Sequence, residues 1–363
     1  MTLLKNLAVT VVVGIILLIL SYRIGSFRDY ELAEVAAYVT AVGGLTMLVG
    51  ISGQISIGHG AFMFIGAYVA ALLLQHLHWP IYLLVIAAAA SCAVAGGIVG
   101  LAAARLRGPY LAGATLMLAV ALPEIAGRYQ GVFGGDQGLD INVTVPASLG
   151  ANFQLTQWLA WVSCLTALVT LFLLANLVNS RVGRNWRAVR DDEVAAALSG
   201  LNVAQLQIRA FVVSAACAGV GGALLAIVLA NVSPGTFTLT LSIALLTAAV
   251  LGGLGSLAGA VWGSLLFVFV PTFLTNVAQS NGLNSSASSS VPIAAYGVVL
   301  IVVMLIFPAG IQGAVRRLLG IAAPAAGAPL SMLRRQAPAP DQKEKTTTPL
   351  VGTAPREKGK GTT

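Results

Sequence analysis

Three long stretches of this 363-residue chain contain no Asp, Glu, Lys or Arg. They cover residues 35–104, 141–180 and 210–315. Soluble domains carry about 25% charged residues, whereas this chain carries 9%, so these stretches cannot build an ordinary water-facing surface. Leu, Ala and Gly fill them without period-2 alternation, which favours helices that satisfy their own backbone hydrogen bonds in lipid. The sequence therefore predicts an all-α fold, a polytopic transmembrane helical bundle.

Spans of about 20 mostly apolar residues fit the chain at about ten places. The predicted spans are 6–22, 31–50, 60–77, 81–104, 109–126, 157–178, 206–230, 238–254, 257–277 and 291–308. Residues 1–22 resemble a signal peptide, but no small-residue cleavage site follows, so we expect a retained first span. Arginines follow the fourth, sixth and tenth spans, and positive charge near span ends favours the cytoplasm. Both termini are therefore predicted to be cytoplasmic.

Residues 1–319 form the predicted transmembrane domain, which has two long polar connections. Residues 127–156 are turn-rich and predicted to be external, whereas residues 181–205 form the longest cytoplasmic loop. Residues 320–363 are basic and rich in Pro, Ala and Thr, which is typical of a disordered tail. Such a cytoplasmic tail either contacts anionic lipid or, as we favour, is a solvated end.

The cytoplasmic loop contains WRAVRDDEVAAALSG at 186–200, which has helical character. Arg187 and Arg190 are spaced to pair with Asp191 and Glu193 on a helix, and Gly200 is a plausible C-terminal stop. A short helix with small apolar side chains and a charged rim suits a groove on a partner protein. A solvated connecting helix explains the same residues equally well.

The turn between the second and third predicted spans, SGQISIGHG at 52–60, is unusually polar for a hydrophobic region. Non-helical backbone at membrane depth needs protein or water around it. We therefore predict a packed hinge near the cytoplasmic mouth, also a candidate lining of the gate, and favour packing over direct substrate contact. The residues concerned are Gly53, Gln54, Ser56, Gly58, His59 and Gly60. His59 is interpreted as a structural histidine rather than a ligand.

Glu124 is an acid inside the predicted apolar span 109–126. An intramembrane acid is a functional candidate, but Arg128 follows four residues later, and we favour a structural ion pair between them. The three cysteines lie in apolar runs without a Cys or His cluster, so buried thiols are predicted and a metal site is not.

Several blocks of the chain resemble one transporter family. The run GISGQISIGHGAFMFIGAYVAALL at 50–73 closely resembles the membrane subunits of branched-chain amino acid ABC importers. The cytoplasmic run from Ser180 to Leu224, GGLGSLAGAVWGSLL at 252–266 and GVVLIVVMLIFPAGIQGAVRRLL at 297–319 are similar to the same family. RLRGPYLAGATLMLAVALPEI at 105–125 and GGDQGL at 134–139 resemble its LivM-type subunit in particular.

The resemblance implies a multi-pass permease subunit of the bacterial inner membrane that carries branched-chain amino acids. The implied partners are a second, homologous permease subunit, two ATP-binding subunits, an external binding protein and membrane lipid, with no nucleic acid. It also implies an ATPase-coupling helix at Arg187, Arg190, Asp191, Asp192, Glu193, Ala195, Ala196 and Gly200. The glycine stands one residue later than in the general importer pattern EAA-x-x-x-G.

The chain has no phosphate-binding G-x-x-x-x-G-K-[ST] motif, so we expect no bound cofactor, no enzyme activity of its own, and ATP hydrolysis by partner subunits. The same importer class serving urea, amides or other amino acids is an alternative. A self-contained secondary transporter or channel is another. It should show charged or broken-helix sites near the bilayer midplane, and such charges are nearly absent.

Overall fold

A computed structural model describes residues 2–23, 25–106, 108–145, 154–280, 297–298, 301–302, 305–307, 310–318 and 320. Its long helices are α1 (Thr2–Arg23), α2 (Ser26–Gly50), α3 (His59–Leu77), α4 (Ile81–Ala103), α5 (Pro109–Arg128), α7 (Leu155–Asn179), α10 (Val203–Leu229), α11 (Leu239–Gly252) and α12 (Leu257–Ser280). The short ones are α6 (Gln130–Phe133), α8 (Arg181–Asp191), α9 (Glu193–Leu198) and α13 (Gly310–Leu318), with 3-10 turns at Gly135–Gln137 and Pro234–Phe237. Two-residue strands β1 (Leu139–Asp140) and β2 (Asn231–Val232) pair antiparallel.

Seven helices of the described chain are long and apolar enough to cross a membrane, namely α2, α3, α4, α5, α7, α10 and α12. The apolar part of α1, Asn6–Ile19, and all of α11 are shorter. The predicted span 291–308 lies mostly outside the described residues. The prediction of an all-α polytopic bundle is confirmed, whereas the ten-span count and the cytoplasmic termini stay predictions.

Two helices form the centre of the bundle. α2 and α10 are buried along most of their length, and α10 contacts α2, α3 and α4. Glycine permits the closest of these approaches, since a Cβ on Gly222 of α10 would lie 2.0 Å from the Met63 carbonyl oxygen of α3. Small residues at such crossings let helices pack through backbone contacts. Cys92, Cys164 and Cys217 are buried free thiols, as predicted.

The ends of several helices meet at one end of the bundle, which we call the basic end. The end of α2 and the start of α12 touch there, because a Cβ on Gly50 would lie 2.1 Å from the amide nitrogen of Gly255. The start of α13 joins them, with Gly310 against Gly253. The helices α8 and α9 contact α10 beside them. The end of α2, which leads into the polar turn at 52–60, and the glycine-rich turn at 252–259 are therefore neighbours in space.

The other end of the bundle, called the opposite end, holds the described part of the predicted external loop. Residues 127–145 are less irregular than a turn-rich sequence suggests, because β1 pairs with β2 and α6 precedes it. The amide of Gln75 donates to the Asp140 carbonyl at 3.0 Å, which ties this segment to the end of α3. Residues 146–153 and the predicted tail beyond Gly320 lie outside the described residues.

Candidate coupling site

Helix α8 is amphipathic and packs one side onto the bundle. Its buried residues are Gly183, Trp186 and Val189, which recur every three residues and share a helix face. Trp186 is 1% exposed, and its indole nitrogen donates to the Leu206 carbonyl at 2.8 Å. The Ser180 hydroxyl caps the start of α8 by accepting from the Val182 amide. The tryptophan thus fixes the position of α8 against the start of α10.

The predicted single helix over 186–200 is wrong, because the chain breaks at Asp192. This residue is extended, with φ −157° and ψ 109°. Its carboxylate accepts from the amides of Val194 and Ala195 at 2.8 and 3.0 Å. Asp is a favoured helix N-cap because it satisfies amides that the first turn leaves unpaired. The sequence predicts charge on a helix surface for this acidic run, although Asp followed by Glu at the first helical position is also an N-cap signal.

Gly200 ends α9 as predicted. It adopts a left-handed φ of +82°, and its amide bonds the Ala197 carbonyl while the Leu201 amide bonds the Ala196 carbonyl. This pair of bonds is the Schellman motif, which glycine forms without a Cβ penalty. The result is a two-helix element, α8–α9, with a capped start for each helix and a glycine at the end of the second.

Arg190 joins this element to the end of α2. One guanidinium nitrogen, Nη1, donates to the Gly50 carbonyl at 2.6 Å, and Nε and Nη2 donate to the Asp191 carboxylate at 3.0 and 2.8 Å. The side chain lies across Gly53, where φ is +76° and an added Cβ would be 2.6 Å from Arg190 Cγ. The glycine therefore makes room for the arginine.

A second connection runs through α10. The Glu193 carboxylate accepts from the Gln207 side chain at 3.0 Å. The Gln54 side-chain amide in turn donates to the Gln207 carbonyl at 3.3 Å and to the Ser52 hydroxyl at 2.9 Å. Residues of the coupling loop and of the polar turn, separated by more than a hundred positions in the chain, thus form one polar cluster. Nothing in the linear pattern indicated this contact.

The outward side of α9 is apolar and uncovered. Val194 is 67% exposed and Leu198 is 85% exposed, whereas Ala196 faces the bundle and is 4% exposed. In the predicted small-residue helix, Ala196 therefore contacts the bundle, whereas Val194 and Leu198 lie on the outer face. Exposed apolar patches occur at protein-contact and membrane-contact sites alike.

The inner half of the polar turn is packed against α5 and α11. The Ile57 amide donates to the Thr115 hydroxyl at 3.1 Å, and the Gly60 amide donates to the Ser242 hydroxyl at 3.1 Å. A Cβ on Gly58 would lie 2.3 Å from the Thr115 carbonyl oxygen. Two backbone amides of the turn are therefore satisfied by side chains of neighbouring helices.

His59 is fully buried in this packing. Its Nε2 lies 3.5 Å from the Ser214 hydroxyl, which bonds the Gly44 carbonyl at 2.9 Å. No group of three or more metal-ligating side chains occurs in the described part of the chain. Ser56 is also fully buried, and its hydroxyl has no partner among the described residues. The structure thus places the histidine as a packed residue.

Glu124 lies apart from this cluster, near the opposite end of α5. The structure does not form the expected ion pair, because Glu124 and Arg128 are both exposed and no contact within 4 Å joins their charged groups. Pro123 precedes Glu124 within the helix. The acid faces outward from the described bundle and is not brought to the candidate site.

Comparison with known proteins decides the family. Residues 29–308 match the family described as branched-chain amino acid transport system, permease component. The chain belongs to this permease family. It is accordingly a multi-pass protein of the inner membrane. No solved structure matches it.

Three relatives illustrate the similarity. The high-affinity branched-chain amino acid transport system permease protein LivM of Escherichia coli K12 is 32% identical over 248 residues, which are 62% of this chain and 58% of that relative. BraD of Pseudomonas aeruginosa is 28% identical over 296 residues, 77% of this chain and 92% of the relative. LivH of Escherichia coli K12 is 27% identical over 299 residues, which are 77% of this chain and 92% of that relative. The aligned part spans less than two thirds of LivM itself.

Proposed function

We propose that this permease is one membrane subunit of an ABC importer for branched-chain amino acids. It would pair with a second, homologous permease subunit and receive solute from an external binding protein. Two ATP-binding subunits would dock at the basic end and supply the hydrolysis, with no cofactor held by this chain. The permease family and the printed names of LivM, BraD and LivH support the substrate class.

The observation that carries the proposal is the two-sided construction of α8–α9. Its outer side exposes Val194 and Leu198. On its inner side, Arg190 donates to the Gly50 carbonyl, and Glu193 accepts from Gln207 of α10, whose backbone carbonyl accepts from Gln54 of the polar turn. Motion of an ATP-binding subunit docked on the outer face of α9 would therefore be transmitted directly to the junction of α2 and α3. The arginines of α8 and α13 lie at this end, which favours its cytoplasmic placement.

The test is purification of the tagged chain from its native cells in mild detergent, followed by mass spectrometry of the co-purifying proteins. We expect a second permease, nucleotide-binding subunits and an external binding protein. A chain that purifies alone and moves solute in ATP-free vesicles would contradict the proposal and favour a secondary transporter or channel. The ligand of the recovered binding protein distinguishes branched-chain amino acids from urea, amides or other amino acids.

A substitution on the outer face makes the test specific. Leu198→Asp places a charge on the apolar face without touching the inner contacts, so the ATP-binding subunits should be lost from the purified complex. Val132→Asp is the matched control, because Val132 is 53% exposed on α6 at the opposite end. Equal recovery of the ATP-binding subunits with both variants would show that α9 is not their docking surface.

A further inference from the structure

A cavity of about 560 Å³ lies at the opposite end, between the start of α2 and the second half of α12. This volume falls within the roughly 300–1,000 Å³ of small-molecule sites. Its charged wall is formed by Arg28 and Glu31 of α2. Its other wall includes Phe269, Thr272, Phe273 and Asn276 of α12. The candidate coupling site is elsewhere, at the basic end.

The charged wall presents one cation and one anion side by side. Arg28 and Glu31 are three residues apart, which places them as neighbours on one face of α2. Glu31 is 7% exposed, so the residue is more than nine-tenths buried while its carboxylate lines the cavity. No hydrogen bond and no ion pair within 4 Å joins that carboxylate to another residue of the described chain. Arg28 acts electrostatically on this carboxylate, and a carboxylate that opens into the cavity can accept hydrogen bonds from a bound ammonium group.

Asp29 shows that this arrangement is specific to one face of the helix. It is also buried, at 3% exposure, but its carboxylate accepts from the Ser21 hydroxyl at 3.0 Å. The Trp161 indole donates to the same hydroxyl at 3.2 Å. Two positions along a helix are about 200° apart, so Asp29 faces α1 and α7 while Glu31 faces the cavity. One acid is a structural residue, and the other is left available.

The wall from α12 contains two aromatic side chains at helical spacing. Phe269, Phe273 and Asn276 are four and three residues apart and therefore share a face. The rings of Phe269 and Phe273 are 39% and 66% exposed. Further toward the middle of the bundle, Tyr38 of α2 and Phe267 of α12 pack edge to face with ring centroids 4.7 Å apart, which joins the two helices.

We propose that this cavity binds the zwitterionic head of an apolar α-amino acid, with Arg28 holding the carboxylate, Glu31 holding the ammonium group and the two phenylalanines receiving the aliphatic side chain. The inference rests on the proposed function and adds to it a subsite on the permease itself. Charge-assisted bonds of this kind are stronger than neutral ones. The subsite would select a free amino acid after its release from the binding protein.

The test measures protection of a cysteine placed in the cavity. Thr272→Cys lines the cavity, and the three native cysteines are buried, so a maleimide should label the new thiol in the detergent-purified complex. Leucine should slow this labelling. Isopentylamine, which lacks the carboxylate, and 4-methylpentanoate, which lacks the ammonium group, should not. Thr238→Cys, exposed just before α11 and outside the cavity, is the control that leucine should leave unchanged.

A second substitution assigns the ammonium partner. In the Thr272→Cys background, Glu31→Gln should raise the half-protecting leucine concentration about tenfold or more, because a bond to a charged group is lost. Asp29→Asn should leave that concentration unchanged. A thiol that is never labelled, protection that survives Glu31→Gln, or protection by a zwitterionic phospholipid but not by leucine would overturn the subsite.

The outcomes separate this inference from the function on which it rests. If the partner subunits co-purify and leucine gives no protection, the subsite is wrong and the importer assignment stands. If the chain purifies alone and leucine gives no protection, both are wrong. Protection with the predicted response to Glu31→Gln supports the subsite in either case.

Discussion

Arg190 is the residue on which the proposed transmission depends most. Its guanidinium contacts both the Asp191 carboxylate and the Gly50 carbonyl, and its stem lies over Gly53. The sequence placed Arg190 in the coupling helix by resemblance and Gly53 in a packed turn. It did not place them in contact, because a bond between residues 140 positions apart depends on how α2 and α8 are brought together.

Arg190→Gln tests that contact. A hydrogen bond to a charged group contributes about 1.5–3 kcal/mol, and partial exposure of the Arg190 side chain, 30%, reduces this value. We expect normal membrane insertion, normal binding of the ATP-binding subunits and a severalfold lower ATP-driven uptake. Arg184→Gln is the control, since Arg184 is exposed on the same helix. Unchanged uptake by the Arg190→Gln variant would show that Arg190 takes no part in coupling ATP hydrolysis to transport.

At the scale of elements, the helices of the bundle were predictable and their short connections were not. The predicted and observed limits agree within a few residues for α3, α4 and α12 because an apolar run of sufficient length permits little else in lipid. The sequence does not predict the break at Asp192, since the same acidic residues suit both a helix surface and an N-cap. Only the backbone conformation of Asp192, which is extended, shows that it is an N-cap and not a helix-surface residue.

Asp192→Ala tests the cap of α9. Loss of an N-cap costs about 1 kcal/mol, which is roughly fivefold in the local opening equilibrium. The amides of Val194 and Ala195 should therefore exchange with deuterium about fivefold faster. Asp191→Ala, which removes the neighbouring acid but no cap, should leave these two amides unchanged. Equal exchange in both variants would show that α9 does not need the cap.

Gly222→Ala tests the crossing of α3 and α10. An added Cβ would lie 2.0 Å from the Met63 carbonyl oxygen, so backbone must move. Overpacking of this kind costs about 1–3 kcal/mol, and we expect a lower melting temperature in detergent. Gly97→Ala is the control on the α4 side of the same core, where the nearest atom is Val212 Cγ2 at 3.7 Å. Equal melting temperatures would contradict the tight crossing.

At the scale of the whole molecule, the two ends of the bundle have different chemistry. The basic end gathers the coupling element, both glycine-rich turns and the arginines of α8 and α13. The opposite end carries the β1–β2 pair and a cavity with one buried acid. Charge-free runs and family resemblance predicted that such a bundle exists, but the meeting of α2 with α12 that forms the cavity required the three-dimensional arrangement.

The most direct test of the account is ATP-driven uptake of a branched-chain amino acid by the reconstituted complex with residues 187–200 of this permease deleted. We predict that the deleted chain still inserts into the membrane and that uptake is abolished, because the outer face of α9 and the Arg190 contact are both removed. Glu193→Lys, which replaces the acid that accepts from Gln207, should have the same effect without shortening the chain. Full uptake by the deletion variant would contradict the coupling role.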